Sequence, residues 1–191
     1  MMDKLPEMVS PSIITLPARA GNCAKEFRKK FPKPKIIGID RNERIVRTST
    51  LTHDKVLDMF FHTSDANMLK ETFFVYQRDA RRDGRIRMRA GQQFSPASFS
   101  KFVGKFQILF LDYTSKLPPC DHAKKPEDVE KFLEYYADAG AHVFMTFTRQ
   151  KKDEPPFFDT NVLRQFGIVN HYEYGEFTDG SPRAMIGYRR F

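Results

Sequence analysis

The sequence has few cysteines and no long apolar stretch, and these two shortages narrow the class of protein. Its 191 residues include only Cys23 and Cys120, too few for the disulfide framework of a small secreted domain. No apolar run approaches the roughly 20 residues that a membrane-spanning helix needs. The opening residues, MMDKLPEMVSPS, hold no apolar stretch typical of a secretion signal. We therefore expect a cytoplasmic protein in a reducing compartment, with no membrane partner.

Two motifs of cofactor and metal sites are also missing. No G-x-G-x-x-G occurs, which counts against a nicotinamide-dependent oxidoreductase. Cys120, Asp121 and His122 are residue types that ligate metals, but no second pair of ligands lies at zinc-finger spacing. We therefore predict no metal site.

The charge of the chain is strongly positive. Lysine and arginine total 32 against 24 acidic residues, a formal net charge of +8. A basic surface favours an anionic partner, of which nucleic acid is the commonest. The candidate phosphate contacts fall in two clusters: Arg81, Arg82, Arg85, Arg87, Arg89, and then Arg149, Lys151 and Lys152. The alternative is a solvated surface in which Asp79 and Asp83 balance the arginines.

The chain alternates between strand-type and helix-type patterns from Ser12 onward. Hydrophobic residues make up 40% of it and include 19 phenylalanines, which predicts one packed domain over residues 12–191. Residues 1–11 are predicted to be a flexible lead. The predicted strands are 12–16, 35–40, 85–89, 106–111, 141–148, 168–177 and 182–191, and the predicted helices are 22–31, 52–61, 64–79, 127–139 and 160–166.

Residues 12–40 form the most informative unit. They read as a strand, a small-residue turn, a helix that Asn22 is placed to cap, and a second strand ending at Asp40. A strand that leads through a turn into a helix N-terminus makes a pocket for a nucleotide-like ligand. The turn holds one glycine, Gly21. An acidic side chain at the tip of the next strand is placed to accept hydrogen bonds from a ribose.

The two ends of the predicted sheet have their own signals. In the segment RIRMR, residues 85–89, apolar and charged residues alternate, which places this strand at a sheet edge. The last two predicted strands flank a turn that contains Asp179 and Gly180, a strong hairpin signal.

In this order of elements the chain resembles the class I S-adenosylmethionine-dependent methyltransferases, from Ser12 to Phe191. The resemblance implies an α/β fold, a Rossmann-like three-layer sandwich with a mostly parallel seven-stranded sheet and a C-terminal antiparallel hairpin. It also implies S-adenosylmethionine as the cofactor. The family's turn motif falls on residues 16–21, its ribose-binding acid on Asp40, and its adenine position on residues 91–93. The implied cofactor-binding residues are Leu16, Ala18, Gly21, Asp40, Arg41, Gln92 and Asp112.

The resemblance places the chemistry after the fourth parallel strand. There Asp112 and Tyr113 match the acid and the aromatic with which amino-group methyltransferases hold a target base. The carboxylate would accept hydrogen bonds from the target amine, and the ring would stack on the base. Target specificity would come from the segments 41–51, 90–105 and 113–126, or from a protein partner.

Three hypotheses for the function stay open at this point. The first is a methyltransferase that acts on nucleic acid. The second is a protein of the same fold that binds nucleic acid or a protein partner without chemistry, which the single glycine of the turn favours. The third is a nicotinamide-dependent oxidoreductase, since Asp40 would serve the ribose of that cofactor equally well.

Overall fold

The computed structural model describes residues 5–16, 21–49, 56–64, 68–80, 86–112, 126–148, 167–176 and 182–190. The strands of this part are β1 (Ser12–Thr15), β2 (Lys35–Asp40), β3 (Met59–His62), β4 (Phe73–Ala80), β5 (Ile86–Phe94), β6 (Phe106–Asp112), β7 (Ala137–Thr148), β8 (Gly167–Glu176) and β9 (Pro182–Arg190). Its helices are α1 (Asn22–Lys30), α2 (Glu43–Ser49), α3 (Pro96–Val103) and α4 (Pro126–Tyr136). The helix predicted at 160–166 lies outside the described residues.

Five parallel strands form the centre of one sheet, in the order β3-β2-β1-β6-β7. The central strands are apolar on both faces because helices cover both sides of the sheet. In β1, for example, Ile13 and Ile14 are both fully buried, although successive residues point to opposite faces. The predicted Rossmann-like α/β architecture is confirmed.

Antiparallel strands extend the sheet on both sides of this centre. β4 and β5 follow β3, while β9 and β8 follow β7. In the described residues the sheet therefore has nine strands, and four of its eight pairings are antiparallel. The predicted mostly parallel, seven-stranded sheet is wrong on both counts. The edge position predicted for residues 85–89 is confirmed for the described part, because β5 is an outermost strand.

The extra strands arise where the sequence predicts helices. Residues 59–62 and 73–80 are strands, so the helices predicted at 52–61 and 64–79 are wrong. The adjacent rings of Phe60 and Phe61 belong to different cores, one on each face of the sheet. Two adjacent phenylalanines therefore indicate here a strand that is buried on both faces. The same pair also fits the apolar side of an amphipathic helix, which is why a helix was predicted.

Two hydrophobic cores separate the three layers. On one face of the sheet α1 and α2 contribute Ala24, Phe27 and Val46 to the first core. On the other face α3 and α4 contribute aromatic side chains to the second core. There the Phe99 ring of α3 stacks on the Phe73 ring of β4, with 3.9 Å between ring centroids. The three-layer arrangement thus follows from helices on both faces of one sheet.

Smaller differences concern the connections. Helices α2 and α3 lie in segments predicted as loops. Ser95 caps α3, since its hydroxyl accepts a hydrogen bond from the Ser98 amide at 3.2 Å. α1 is capped by Gly21 rather than by Asn22. α4 ends at Tyr136 instead of residue 139, and β7 starts directly afterwards.

The segment before the first strand packs on the domain. Leu5 is buried in the core beneath α1, and the carbonyl groups of Val9 and Pro11 accept hydrogen bonds from the amides of Lys33 and Lys35. Residues 5–11 are therefore tied to the chain around β2, which differs from the flexible lead predicted for 1–11. None of the helices in the described ranges combines the length and the apolar character needed to cross a bilayer.

Candidate cofactor site

The ends of the parallel strands meet at one edge of the sheet, called here the carboxyl edge. Thr15 ends β1, Asp40 ends β2, and His62 ends β3. On the other side of β1, Asp112 ends β6. In open α/β sheets a ligand binds in the crevice outside these strand ends, so this edge is the candidate site.

The turn after β1 brings a glycine to the start of α1. The Leu16 amide donates to the Phe110 carbonyl at 3.2 Å, which holds the end of β1 against β6. After residues 17–20, outside the described part, Gly21 has φ 61 and ψ 24, in the left-handed region that favours glycine. Its carbonyl accepts from the Lys25 amide at 3.0 Å. Among the described residues no side chain caps this end of α1, and its first turn contains no acidic residue, so the positive end of the helix suits an anionic group.

Asp40 is half-buried at the tip of β2. Its Oδ1 accepts a hydrogen bond from the Asn42 amide at 2.8 Å. Burial raises the pKa of the Asp40 carboxyl above its ordinary value of 3.8, while the Asn42 amide and the neighbouring Arg41 charge act in the opposite direction. One oxygen of the Asp40 carboxylate therefore holds the loop that follows β2 in its conformation.

Asn42 continues this loop into α2. Its side-chain oxygen accepts from the Arg44 amide at 3.1 Å and from the Ile45 amide at 3.4 Å, which caps the helix. The Arg47 guanidinium of α2 lies 5.6 Å from the centroid of the Tyr76 ring on β4. Burial and a hydrogen bond to Glu43 raise the pKa of Tyr76 to about 12. α2 is thus fixed between the Asp40 loop and the added strands.

His62 is a polar residue of this edge that the sequence analysis missed. It lies beside Asp40 in the β2–β3 register, and its Nε2 is 3.1 Å from the Arg41 carbonyl. Since a carbonyl only accepts, Nε2 carries the proton in the neutral ring, and Nδ1 is then an acceptor. Nδ1 is buried and makes no hydrogen bond. The sequence signal for this strand end is the pair of polar residues, His62 and Thr63, directly after the apolar run 59–61. The helix predicted over residues 52–61 hid the strand to which this signal belongs.

A second unpaired polar atom lies at the end of β1. Thr15 is fully buried, and its Oγ1 makes no hydrogen bond. Buried polar atoms without partners are uncommon in folded proteins and concentrate where function competes with stability. Together with the open helix end at Gly21 and the carboxylate of Asp40, they give this edge the polar groups that suit an adenosyl ligand with a charged tail.

The structure brings some of the predicted site residues together and separates others. Gly21, Asp40 and Arg41 lie at the carboxyl edge with Leu16, and Asp112 ends β6 beside β1. Gln92 lies instead within β5, four strands from β1, or about 19 Å at ordinary strand spacing. Its predicted place after the third parallel strand is wrong, because that strand is β3. Outside the described residues lie Ala18, Arg81, Arg82, Arg85, Tyr113, Arg149, Lys151 and Lys152.

The side chains of the basic strand β5 are described in part. Arg89 is exposed on this edge strand, as a phosphate contact requires, whereas Arg87 is described only through its backbone pairing with Asp79. In the described ranges no group of three or more histidine, cysteine, aspartate or glutamate side chains is arranged to hold a metal ion. Cys23 packs against the core beneath α1.

Comparison with known proteins gives structural matches alone. The sequence matches no protein-family profile and no curated protein. A fibrillarin from Methanococcus jannaschii, a pre-rRNA processing protein, is similar in structure with a TM-score of 0.58 and 14% identity over 97% of this chain and 69% of that one. An Aeropyrum pernix fibrillarin with natively bound S-adenosyl-L-methionine gives 0.56 and 14% over 96% and 68%.

An rRNA methylase from Streptococcus thermophilus is also similar, with a TM-score of 0.52 and 9% identity over 100% of this chain and 92% of that one. These matches cover almost the whole chain, so they concern the architecture and not an isolated motif. At such identities the likeness establishes the fold. The chain has the fold of the class I S-adenosylmethionine-dependent methyltransferases.

Proposed function

We propose that this protein is an S-adenosylmethionine-dependent methyltransferase that acts on nucleic acid. The observation that carries the proposal is the placement of Gly21 and Asp40 after adjacent parallel strands at the carboxyl edge. Neighbouring strands lie about 4.8 Å apart, so one adenosyl group can reach both the open end of α1 and the carboxylate. Three structural neighbours, two of them described as acting on rRNA or its precursor, share this fold.

Different residues of the carboxyl edge would hold different parts of the cofactor. The first amides of α1, after Gly21, would hold the carboxylate of the methionine part, because a helix N-terminus attracts negative charge. Asp40 would accept hydrogen bonds from the ribose hydroxyls, with Arg41 beside it. His62, which ends β3, and Thr63, which follows it, would lie on the adenine side, the role that the sequence had assigned to Gln92.

The chemistry needs little beyond positioning. The bound cofactor supplies a methyl group on a sulfonium, which is already a good electrophile. Asp112, the last residue of β6, and Tyr113, the next in the sequence, would orient the nucleophile. The carboxylate would accept a hydrogen bond from it, and the ring would stack on a base. Holding the nucleophile in line accounts for most of the rate that such a site can provide.

The nucleic-acid part of the proposal depends on charge. The formal net charge is +8, and the arginines around β5 would follow the phosphate backbone, together with Arg149, Lys151 and Lys152. The rRNA methylase and the pre-rRNA processing protein among the neighbours favour RNA over DNA.

Transfer of a labelled methyl group tests this function. The protein is incubated with S-adenosylmethionine labelled on the methyl group and with RNA, DNA or a basic protein, and the label in each polymer is counted. We expect label in RNA, and its loss in Asp112→Asn, which keeps the shape of the side chain and loses its charge. Cofactor binding without label in RNA or DNA would favour the binding protein without chemistry, and binding of NADH in place of S-adenosylmethionine would favour the oxidoreductase.

A further inference from the structure

A group of lysines lies at the edge of the sheet opposite to the candidate site. This amino edge contains the starts of the parallel strands, the C-terminal ends of α1 and α3, and the loops between them. Five lysines belong to it: Lys30, Lys33, Lys35, Lys101 and Lys105. Lys30 is half-buried and the other four are exposed.

Hydrogen bonds hold the backbone and side chains of this group close together. Ser12 is the register neighbour of Lys35, and its hydroxyl donates to the Lys105 carbonyl at 3.0 Å. The Lys35 ammonium donates to the Val103 carbonyl at 3.1 Å, at the end of α3. One continuous surface, the amino-edge lysine surface, therefore joins the starts of β2 and β6 to the last turn of α3, where Lys101 lies.

The charges of this surface are not neutralised within the described part of the chain. The neighbouring cations Arg28 and Lys29 form ion pairs with Asp58 and Glu26. None of the five lysines forms an ion pair with a described carboxylate. Beyond Asp58 and Glu26, which those two pairs use, the acidic residues at this edge in the described chain are Glu134 in the last turn of α4 and Asp138 at the start of β7, so the five lysines outnumber them.

Such a concentration of charge works against the fold. Like charges within a Debye length of about 10 Å repel one another, and a solvated surface with mixed charges would avoid this cost. A polyanion that binds here releases condensed counterions and removes the repulsion. The lysines are spread over the starts of two strands and the end of a helix, which suits an extended phosphate backbone better than a small anion.

We infer that the amino-edge lysine surface binds the phosphate backbone of the nucleic-acid substrate, away from the methyl-transfer edge. This inference rests on the proposed nucleic-acid substrate. From Lys35 to Asp40 along β2 is about 17 Å at the ordinary rise of a strand, the height of about five base pairs. A substrate must therefore extend well beyond its target nucleotide to contact both edges, so this surface selects long or folded nucleic acid over short fragments.

The test is the salt dependence of RNA binding by a charge-neutralised variant. The variant K33Q/K35Q/K101Q/K105Q removes four exposed charges from this surface. Its control K70Q/K131Q removes two charges outside the amino edge, and the two variants are compared per charge removed. Fluorescence anisotropy with a single-stranded RNA of about 20 nucleotides gives the slope of log K against log salt. We expect the slope to shrink by about 3 in the variant, about 0.7 for each lost phosphate contact, and by less than about 1 in the control.

Equal losses per charge removed in the variant and the control would overturn the inference, because total charge alone would then explain binding. Unchanged RNA affinity in the variant would overturn it as well and would point to an acidic protein partner. The same titration with duplex DNA identifies the polymer, with an expected change of about 0.9 per contact. The double variant K101Q/K105Q, which leaves the Lys35–Val103 contact intact, should show about half the effect if the quadruple variant folds poorly.

Binding of S-adenosylmethionine separates this inference from the proposed function. The amino-edge lysines lie opposite the candidate site, so the quadruple variant and K101Q/K105Q should both bind the cofactor as the wild type does. A wild type that binds the cofactor and no nucleic acid would contradict the substrate class and this surface together. A wild type that binds RNA but not S-adenosylmethionine would be consistent with the lysine surface and would contradict the proposed methyltransferase activity.

Discussion

The two edges of the sheet are built in opposite ways. At the amino edge the Arg28 guanidinium donates to the carbonyls of Val56 and Pro34 and to Asp58, at 2.7–3.0 Å. Asp58 also accepts from the Ile36 amide at 2.6 Å. At the carboxyl edge Thr15 and His62 each leave a buried polar atom without a hydrogen bond. The hydrogen bonds of the amino edge hold the strands together. The carboxyl edge instead keeps unpaired polar atoms at the place where a ligand would bind.

The contrast indicates that the amino edge contributes mainly to stability and the carboxyl edge mainly to ligand binding. Removing an acid from the amino edge should cost stability and leave cofactor binding intact. Removing an acid from the carboxyl edge should do the reverse. Asp58 and Asp40, which lie at opposite ends of the β2–β3 pair, are the two acids for this test.

The largest expected effect is on cofactor affinity in Asp40→Ala. The substitution removes the charged acceptor for the ribose hydroxyls, and hydrogen bonds to charged groups contribute about 1.5–3 kcal/mol. The affinity for S-adenosylmethionine should fall about 10- to 100-fold, measured by the thermal shift that the ligand produces. Asp138→Ala, an exposed aspartate at the other end of the sheet, is the matched control. An equal loss in the control would end the assignment of Asp40.

Asp58→Ala should have the next largest effect, and on a different quantity. It leaves the Ile36 amide and one nitrogen of the partly buried Arg28 without their acceptor, which costs about 1–3 kcal/mol of unfolding free energy. Denaturant unfolding measures this loss. The ligand-induced shift should persist at the lower melting temperature, and its disappearance would show that the two edges are not independent.

The pH dependence of the wild type should show the raised pKa of Asp40. The folded protein keeps a proton on this carboxyl at pH values where the unfolded chain has lost it. The contribution of Asp40 to stability is therefore full below pH 3.8 and decreases as pH rises through the raised pKa. Cofactor affinity should change in the opposite direction and weaken as pH falls through that value. Asp40→Asn should flatten both profiles, and a wild-type profile that matches the variant would contradict the assignment.

The smallest effect is expected from Thr15→Val. This isosteric change removes a buried hydroxyl that has no hydrogen bond, so the unfolding free energy should stay the same or rise by up to about 1 kcal/mol. Thr15→Ser is the reciprocal control: it keeps the hydroxyl and removes the methyl group, so it should lower the unfolding free energy through lost packing. A fall of more than about 1 kcal/mol in Thr15→Val would show that the hydroxyl stabilises the fold, and the contrast between the edges would weaken.

The sequence predicted the centre of the fold and not its extension. β2 was predicted with its exact bounds because Pro34 precedes it and a charged residue follows Asp40. The short strand MFFH, residues 59–62, could not be separated from a helix, since its neighbours are distant in sequence and the pairing with β2 is non-local. The antiparallel strand β4 was missed for another reason, since its partner β5 is the next strand in the sequence: its doubled phenylalanine also fits the apolar side of a helix.

The candidate site was predicted to the same extent. Asp40, Gly21 and Asp112 follow strands that the sequence identifies, so their shared edge was predictable. His62 and Thr63 were not, because they depend on β3. Gln92 was assigned to the wrong strand end as a direct consequence, since residues 85–89 were counted as the third strand of the parallel order. The error in one short element therefore moved the predicted adenine contact to the far edge of the sheet.

Calorimetric titration of S-adenosylmethionine into the purified protein tests the central claim, that the carboxyl edge is a cofactor site. We predict saturable binding of one molecule per chain, weakened in Asp40→Ala and retained in Asp58→Ala. A folded wild type that shows no binding, or binding that Asp40→Ala leaves unchanged, would contradict it.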